Sequence, residues 1–349
     1  MYIRYFLGVY LGLCSLFLPA ALYFQALTGG LTRIGYLSEN NFGWNGSRSA
    51  QQILKSPPDE DIHVVVVGDS FSNPNIWQSR LHAKTGFNVA SMNCNNVQVN
   101  PKCFLKDIKN RYPKVKVLVL QTVERFSVNR MISLAESKQE QCLSTAQFAN
   151  GIVRTEPGVT SRDRRIFGPI TDIIYLFRTF LNEFRLNSKD SFITNGVYVS
   201  NLERKDLFTS KRSDKLLYVR DDVKLKEGWS EKTVSRAFQA FSHFSKSTRD
   251  HSIHPVLFVI PDKLSAYSPY LIKNKSTTIP RPIFWQRLIE NGNHINPLSK
   301  LSGYVHREKD IYEPNDSHLS PRGYQLIADA LADYLSKNGT FKKESYIDN

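Results

Sequence analysis

Three short runs dominated by β-branched and aliphatic residues punctuate the chain: His63–Val67, closed by Gly68, then Val115–Leu120 and Val256–Ile260. A strand that is apolar on both faces belongs in a parallel sheet covered on both sides. Elsewhere the pattern takes the helical period. The stretch Ser230–Ser247 is amphipathic, and Gly323–Leu335 lines up Leu326, Ile327, Ala330, Leu331 and Leu335 on one stripe. Strand and helix alternate, which predicts an α/β fold, a three-layer sandwich with a mainly parallel central sheet and functional groups at the carboxyl ends of the strands. Residues 127–228 are less regular, with a helix expected around Ile170–Arg185, and read as an insertion into a domain spanning 61–340.

The N terminus has a different pattern. Tyr5–Phe24 is an uncharged apolar run of twenty positions, which at about 1.5 Å per residue matches about 30 Å of hydrocarbon. Arg4 and the amino group precede it, favouring an inward N terminus. Residues 1–28 are therefore expected to be a single-pass anchor in the inner, cytoplasmic membrane, with the soluble domain facing the periplasm or exterior. A signal peptide cut near Pro19-Ala20-Ala21 is the alternative. Residues 29–60, with a Gly/Asn-rich stretch at 40–47, are expected to be a connector.

At 349 residues and 41% hydrophobic content the chain is too long and too apolar for a disordered tail. Its net charge of +14 is scattered from Arg4 to Lys343 rather than gathered into a stripe, so a solvated basic surface is expected, with attraction to acidic glycans or lipid headgroups as the alternative, and no nucleic-acid partner. Four cysteines exclude a disulfide-dense scaffold, and no Cys-x-x-Cys or His/Cys cluster suggests zinc. In an oxidising compartment Cys94 and Cys103 could bridge a short loop and leave Cys142 free; three buried thiols are the alternative.

Two motifs carry candidate chemistry. Gly68-Asp69-Ser70-Phe71 stands where the first strand ends, a place where a turn exposes a hydroxyl beside unpaired backbone N–H groups. Alone it reads as a helix cap. Far downstream (318 − 70 = 248 residues), Asp316 and His318 sit two apart in a loop before the last helix. A serine needs a base, and an imidazole held by a carboxylate supplies one, so the two motifs together suggest a Ser-His-Asp triad. Lys263 and Tyr267 follow the third strand run and are candidate substrate-binding groups, with a turn and a solvated lysine as the plain structural alternative.

Gly68-Asp69-Ser70-Phe71 together with Asp316-Ser317-His318-Leu319-Ser320 and Gly323 resembles the first and last blocks of the SGNH (GDSL-like) hydrolase superfamily. Within it the chain is most similar to the membrane-associated proteins of alginate O-acetylation and related exopolysaccharide acetylation. Glu124-Arg125 after a strand, Pro261-Asp262-Lys263 followed by Tyr267, and the N-terminal anchor add to that likeness. The order differs, since in the alginate-type proteins the Asp-x-His block precedes the serine block. The position three before the histidine, an acid in many superfamily members, is Asn315 here.

The resemblance implies an SGNH-like, flavodoxin-like sandwich in which Ser70 is nucleophile, His318 base and Asp316 its orienter. The oxyanion blocks of ordinary members have no clean match. The Ser70 backbone N–H comes first, with Asn95, Gln121 and Arg125 as further oxyanion or substrate-binding candidates; for Glu124 and Arg125 a buried ion pair is the alternative. The activity implied is O-acyl transfer, in particular O-acetyl transfer, to an extracytoplasmic or cell-envelope polysaccharide. The partner implied is a multi-span membrane protein donating the acyl group, and no metal or diffusible cofactor is called for. A carbohydrate esterase of the same fold and an inactive glycan-binding or assembly protein are the alternatives.

Overall fold

A computed structural model describes residues 29–45, 58–73, 75–93, 101–136, 169–272, 283–291 and 295–337, with isolated positions before them. Along the chain run α1 (Gly30–Gly35), α2 (Glu39–Phe42), β1 (Val64–Gly68), α3 (Ile76–Thr85), β2 (Val89–Asn93), α4 (Pro101–Arg111), β3 (Val117–Val123) and α5 (Glu124–Glu136). Then come α6 (Pro169–Ser188), β4 (Ser191–Thr194), β5 (Val197–Asn201), β6 (Lys215–Val219), α7 (Asp221–Glu227), α8 (Glu231–Asp250), β7 (His254–Ile260), α9 (Lys263–Tyr267), α10 (Ile283–Glu290), α11 (Pro297–Val305) and α12 (Pro321–Lys337). The fold is α/β.

Four strands form a wholly parallel sheet in the order β2-β1-β3-β7. Successive side chains of a strand face opposite ways, and both faces are apolar here. On one side, Val64, Val66, Val119, Val256 and Phe258 pack with Trp77 and Leu81 of α3 and with Leu326, Ile327 and Leu331 of α12. On the other, Val65, Val67, Leu118, Leu120, Leu257 and Val259 pack with Leu105 and Ile108 of α4, Val128 of α5 and Phe241 of α8. Helices therefore cover both faces, and two separate cores hold the sheet.

The β3 strand runs three residues past the expected Leu120, through Gln121 and Thr122, because both polar side chains are buried and hydrogen-bonded. The irregular segment supplies α6 and a three-stranded antiparallel sheet, β4-β5-β6, that the apolar pattern did not predict. Residues 29–45 also differ from expectation. They are folded against the domain, with the Leu31 N–H donating to the Asn315 carbonyl at 3.0 Å, and are no free connector in this stretch.

Cys103 is disulfide-bonded, and Cys14, Cys94 and Cys142 lie outside the described residues, so the Cys94 pairing does too. The Tyr5–Phe24 run also lies outside the described stretches. Among the described residues no helix is long and apolar enough to cross a membrane.

Candidate active site

The first strand delivers Ser70. Its last residue, Gly68, has no room for a side chain: a Cβ there would lie 2.6 Å from Gln121 Oε1. The turn that follows is tied by Asp69, which is buried and accepts four hydrogen bonds. Its Oδ1 takes the Phe71 N–H and Gln121 Nε2, each at 3.0 Å, and its Oδ2 takes the Val123 N–H and Arg130, each at 2.7 Å. Asp69 thereby fastens β1 to β3 and leaves the next residue, Ser70, exposed. The Ser70 backbone N–H makes no hydrogen bond among the described residues, the condition an oxyanion donor must meet.

The last loop delivers the other two groups. Tyr312 and Leu319 pair as an antiparallel bridge, the Glu313 N–H donates to the His318 carbonyl at 3.1 Å, and Ser320 accepts the Gly323 N–H at the start of α12. Between these fixed ends, Asp316 Oδ1 lies 2.7 Å from His318 Nδ1, and His318 Nε2 lies 2.9 Å from Ser70 Oγ. Ser70, His318 and Asp316 are thus brought into one hydrogen-bonded line at the carboxyl end of the sheet. The imidazole rests on the Phe71 ring, with centroids 4.7 Å apart. Asn315 does not take the orienting place; its amide donates to Glu39 Oε2 at 2.8 Å.

The electrostatics follow from these bonds. Burial opposes the charge on Asp316, but the hydrogen bond and charge of His318, with the N–H groups of Gly30 and His318, outweigh it and hold the carboxyl below the usual carboxylate range. Burial likewise lowers the His318 pKa, and Asp316 more than restores it, so the imidazole titrates above 6.5. The other Asp316 oxygen, Oδ2, accepts the Gly30 N–H at 2.7 Å. A Cβ on Gly30 would approach that oxygen to 2.8 Å, so the close approach requires glycine.

No protein-family model, curated protein or solved structure matches this chain. What the site can do rests on its own geometry.

Several expected substrate contacts are placed elsewhere. Lys263 is buried and donates to the carbonyls of Glu313, Pro314 and Asp316 at 2.7, 3.0 and 3.0 Å, so it holds the loop from behind. Burial pushes its pKa down to about 7 against the pull of Asp316, Asp310 and Glu313. Tyr267 is also buried, and its hydroxyl accepts the Tyr312 N–H at 3.3 Å. Gln121 is bonded to Asp69 and Ser72. All three are corrected from substrate or oxyanion contacts to supports, because buried groups with filled hydrogen bonds have no face to offer a ligand. Asn95 lies outside the described residues.

Arg125 is divided between two roles. It pairs with Asp262 at 2.6 Å and Asp222 at 3.0 Å, and Lys226 joins Asp262 and Glu124 at 2.9 and 3.1 Å. Yet Arg125 also lines a cavity of about 450 Å³ beside Ser70, together with Phe126, Asn129, Arg130 and Ser133. Asn129 is exposed and its side chain makes no hydrogen bond among the described residues, which leaves its amide open to a ligand. The sequence reasoning missed Asn129 and Arg130; their signal was their spacing from Phe126, one turn along the helix that follows β3. Among the described residues no cluster of His, Cys, Asp or Glu is arranged to hold a metal ion.

Proposed function

We propose that the protein is a serine-dependent O-acyltransferase, in particular an O-acetyltransferase, acting on an extracytoplasmic or cell-envelope polysaccharide. The observation that carries this reading is the line Ser70–His318–Asp316, with contacts of 2.9 and 2.7 Å. The chain's likeness to SGNH hydrolases and their sandwich fold supports the same chemistry, and the apolar N-terminal run supports a place at the inner membrane, facing outward.

Ser70 Oγ attacks the donor's acyl carbon while its proton passes to His318 Nε2. The tetrahedral oxyanion is met by the Ser70 N–H; it collapses, the donor's leaving oxygen or sulfur takes the proton from His318, and an ester remains on Ser70. A sugar hydroxyl then attacks that ester, giving its proton to His318, and Ser70 leaves with the proton returned. Asp316 keeps the imidazole oriented throughout and remains ionised. With no acyl-CoA outside the cytoplasm, a multi-span membrane partner supplies the donor. A second reading, a carbohydrate esterase, is favoured by the exposure of Ser70, which lets water reach the same ester.

Incubating the protein with p-nitrophenyl acetate and measuring its intact mass tests the first step. One acetyl group on the wild type and none on Ser70→Ala is the expected outcome; equal labelling of both refutes Ser70 as nucleophile. Release of the label to an oligosaccharide rather than to water separates transferase from esterase.

A further inference from the structure

Helix α6 buries one side, where Leu186 joins an apolar cluster among polar groups. Its polar residues Thr179 and Asn182 are buried, and Asn182 Nδ2 donates to the carbonyls of Gly35 and Tyr36 at 3.1 and 3.0 Å. Tyr175 donates to the Leu37 carbonyl at 3.3 Å, and Arg178 lies over the Tyr36 ring at 4.8 Å. The helix is therefore bound to residues 35–37 by one side. On the opposite side, Phe177, Phe180, Leu181 and Phe184 are 57%, 51%, 40% and 62% exposed. Their spacing of three and four puts them in one stripe, and Phe180 meets Phe184 edge to face at 5.0 Å. Four large apolar side chains turned outward together exceed the scattered exposure of an ordinary surface.

The place of this stripe points to its occupant. Residues 35–37, which hold α6, follow closely on Gly29, and only Gln25–Thr28 separates Gly29 from the end of the Tyr5–Phe24 run. At about 3.6 Å per residue, that link reaches at most about 18 Å. A run in the bilayer thus keeps this corner of the domain near the membrane surface. The stripe is flanked by the exposed Arg178 and Arg185, and Arg33 is exposed on α1. Apolar rings with arginines at their border suit the boundary between acyl chains and anionic headgroups.

We propose that the Phe177–Phe184 face of α6 rests in the surface of an anionic lipid bilayer, so that the domain is held by two points, anchor and helix. The inference rests on the membrane reading of the N-terminal run and is independent of the acyl-transfer chemistry. Full-length protein is reconstituted in vesicles of phosphatidylcholine and phosphatidylglycerol, with flotation checked first. Leu181→Trp is then compared with Ile289→Trp, a control at a position 65% exposed on α10, and with the wild type, whose fluorescence is subtracted. Brominated lipid is expected to quench the signal of the tryptophan introduced on α6 about twofold or more and to leave the control unchanged, whereas aqueous acrylamide does the reverse. Failure to float overturns the anchor and the docking face together. Flotation with acrylamide quenching equal at both positions overturns the docking face alone. Shielding of position 181 from both quenchers also overturns it, because another part of the chain or a second copy then covers the stripe.

Discussion

Asp316 uses both carboxylate oxygens, one on His318 and one on the Gly30 N–H, and the pH response follows from that division. In the proposed mechanism His318 acts as base only when neutral, so kcat/KM should rise with pH through an inflection above 6.5. The same group contributes stability that is full below 6.5 and fades as pH rises through its folded pKa, so activity gains where the ion pair weakens. An inflection at or below 6.5 in a pH–rate profile contradicts the assigned partner. Behind the loop, Lys263→Met leaves three carbonyls, one buried and two half-buried, without their donor. A loss of about 1–3 kcal/mol in denaturant unfolding is expected, with kcat falling more than KM changes, because the lysine positions the loop and does not meet substrate.

At the scale of elements, α1 steadies the proposed triad through its first backbone N–H, which Asp316 accepts. Gly30→Ala is expected to push Asp316 away from that N–H and lower kcat by about tenfold, about 1.4 kcal/mol, measured in steady-state assays. An unaltered rate would show that Asp316 needs no such tether. This contact was hidden in the sequence, since 286 residues separate its partners and nothing in a Gly-Gly pair signals a distant carboxylate. The strands β1 and β7 and the helices α8 and α12 were legible, because continuous apolar runs and helical stripes are local signals. The continuation of β3 through Gln121 and Thr122 was not, since burial of a polar side chain depends on partners brought from other elements. Ser70, Asp316 and His318 could be proposed as a set because a strand end and a loop before a helix are predictable places. Lys263 and Tyr267 were misplaced, because chain position gives the end of the sheet but not which way a side chain turns.

Across the whole molecule, charge is buried where the inserted segment meets the sheet. Arg125 lies between Asp222 from α7 and Asp262 after β7, and burial with the neighbouring Asp262 raises the Asp222 pKa well above its ordinary value. Arg125→Met removes the cation and should cost about 3–5 kcal/mol. Arg125 lowers the pKa of both Asp222 and Asp262, so its loss raises them and makes the ionised pair costlier as pH rises. The deficit of the variant, followed by urea unfolding, should therefore shrink toward acid pH; a deficit that grows there would contradict the assignment. The Gly30 tether has a practical consequence for anyone shortening the chain from its N terminus. Cutting the chain at residue 60, where composition suggests the globular part begins, would discard the amide that steadies the triad carboxylate, whereas a cut just before Gly29 would keep it.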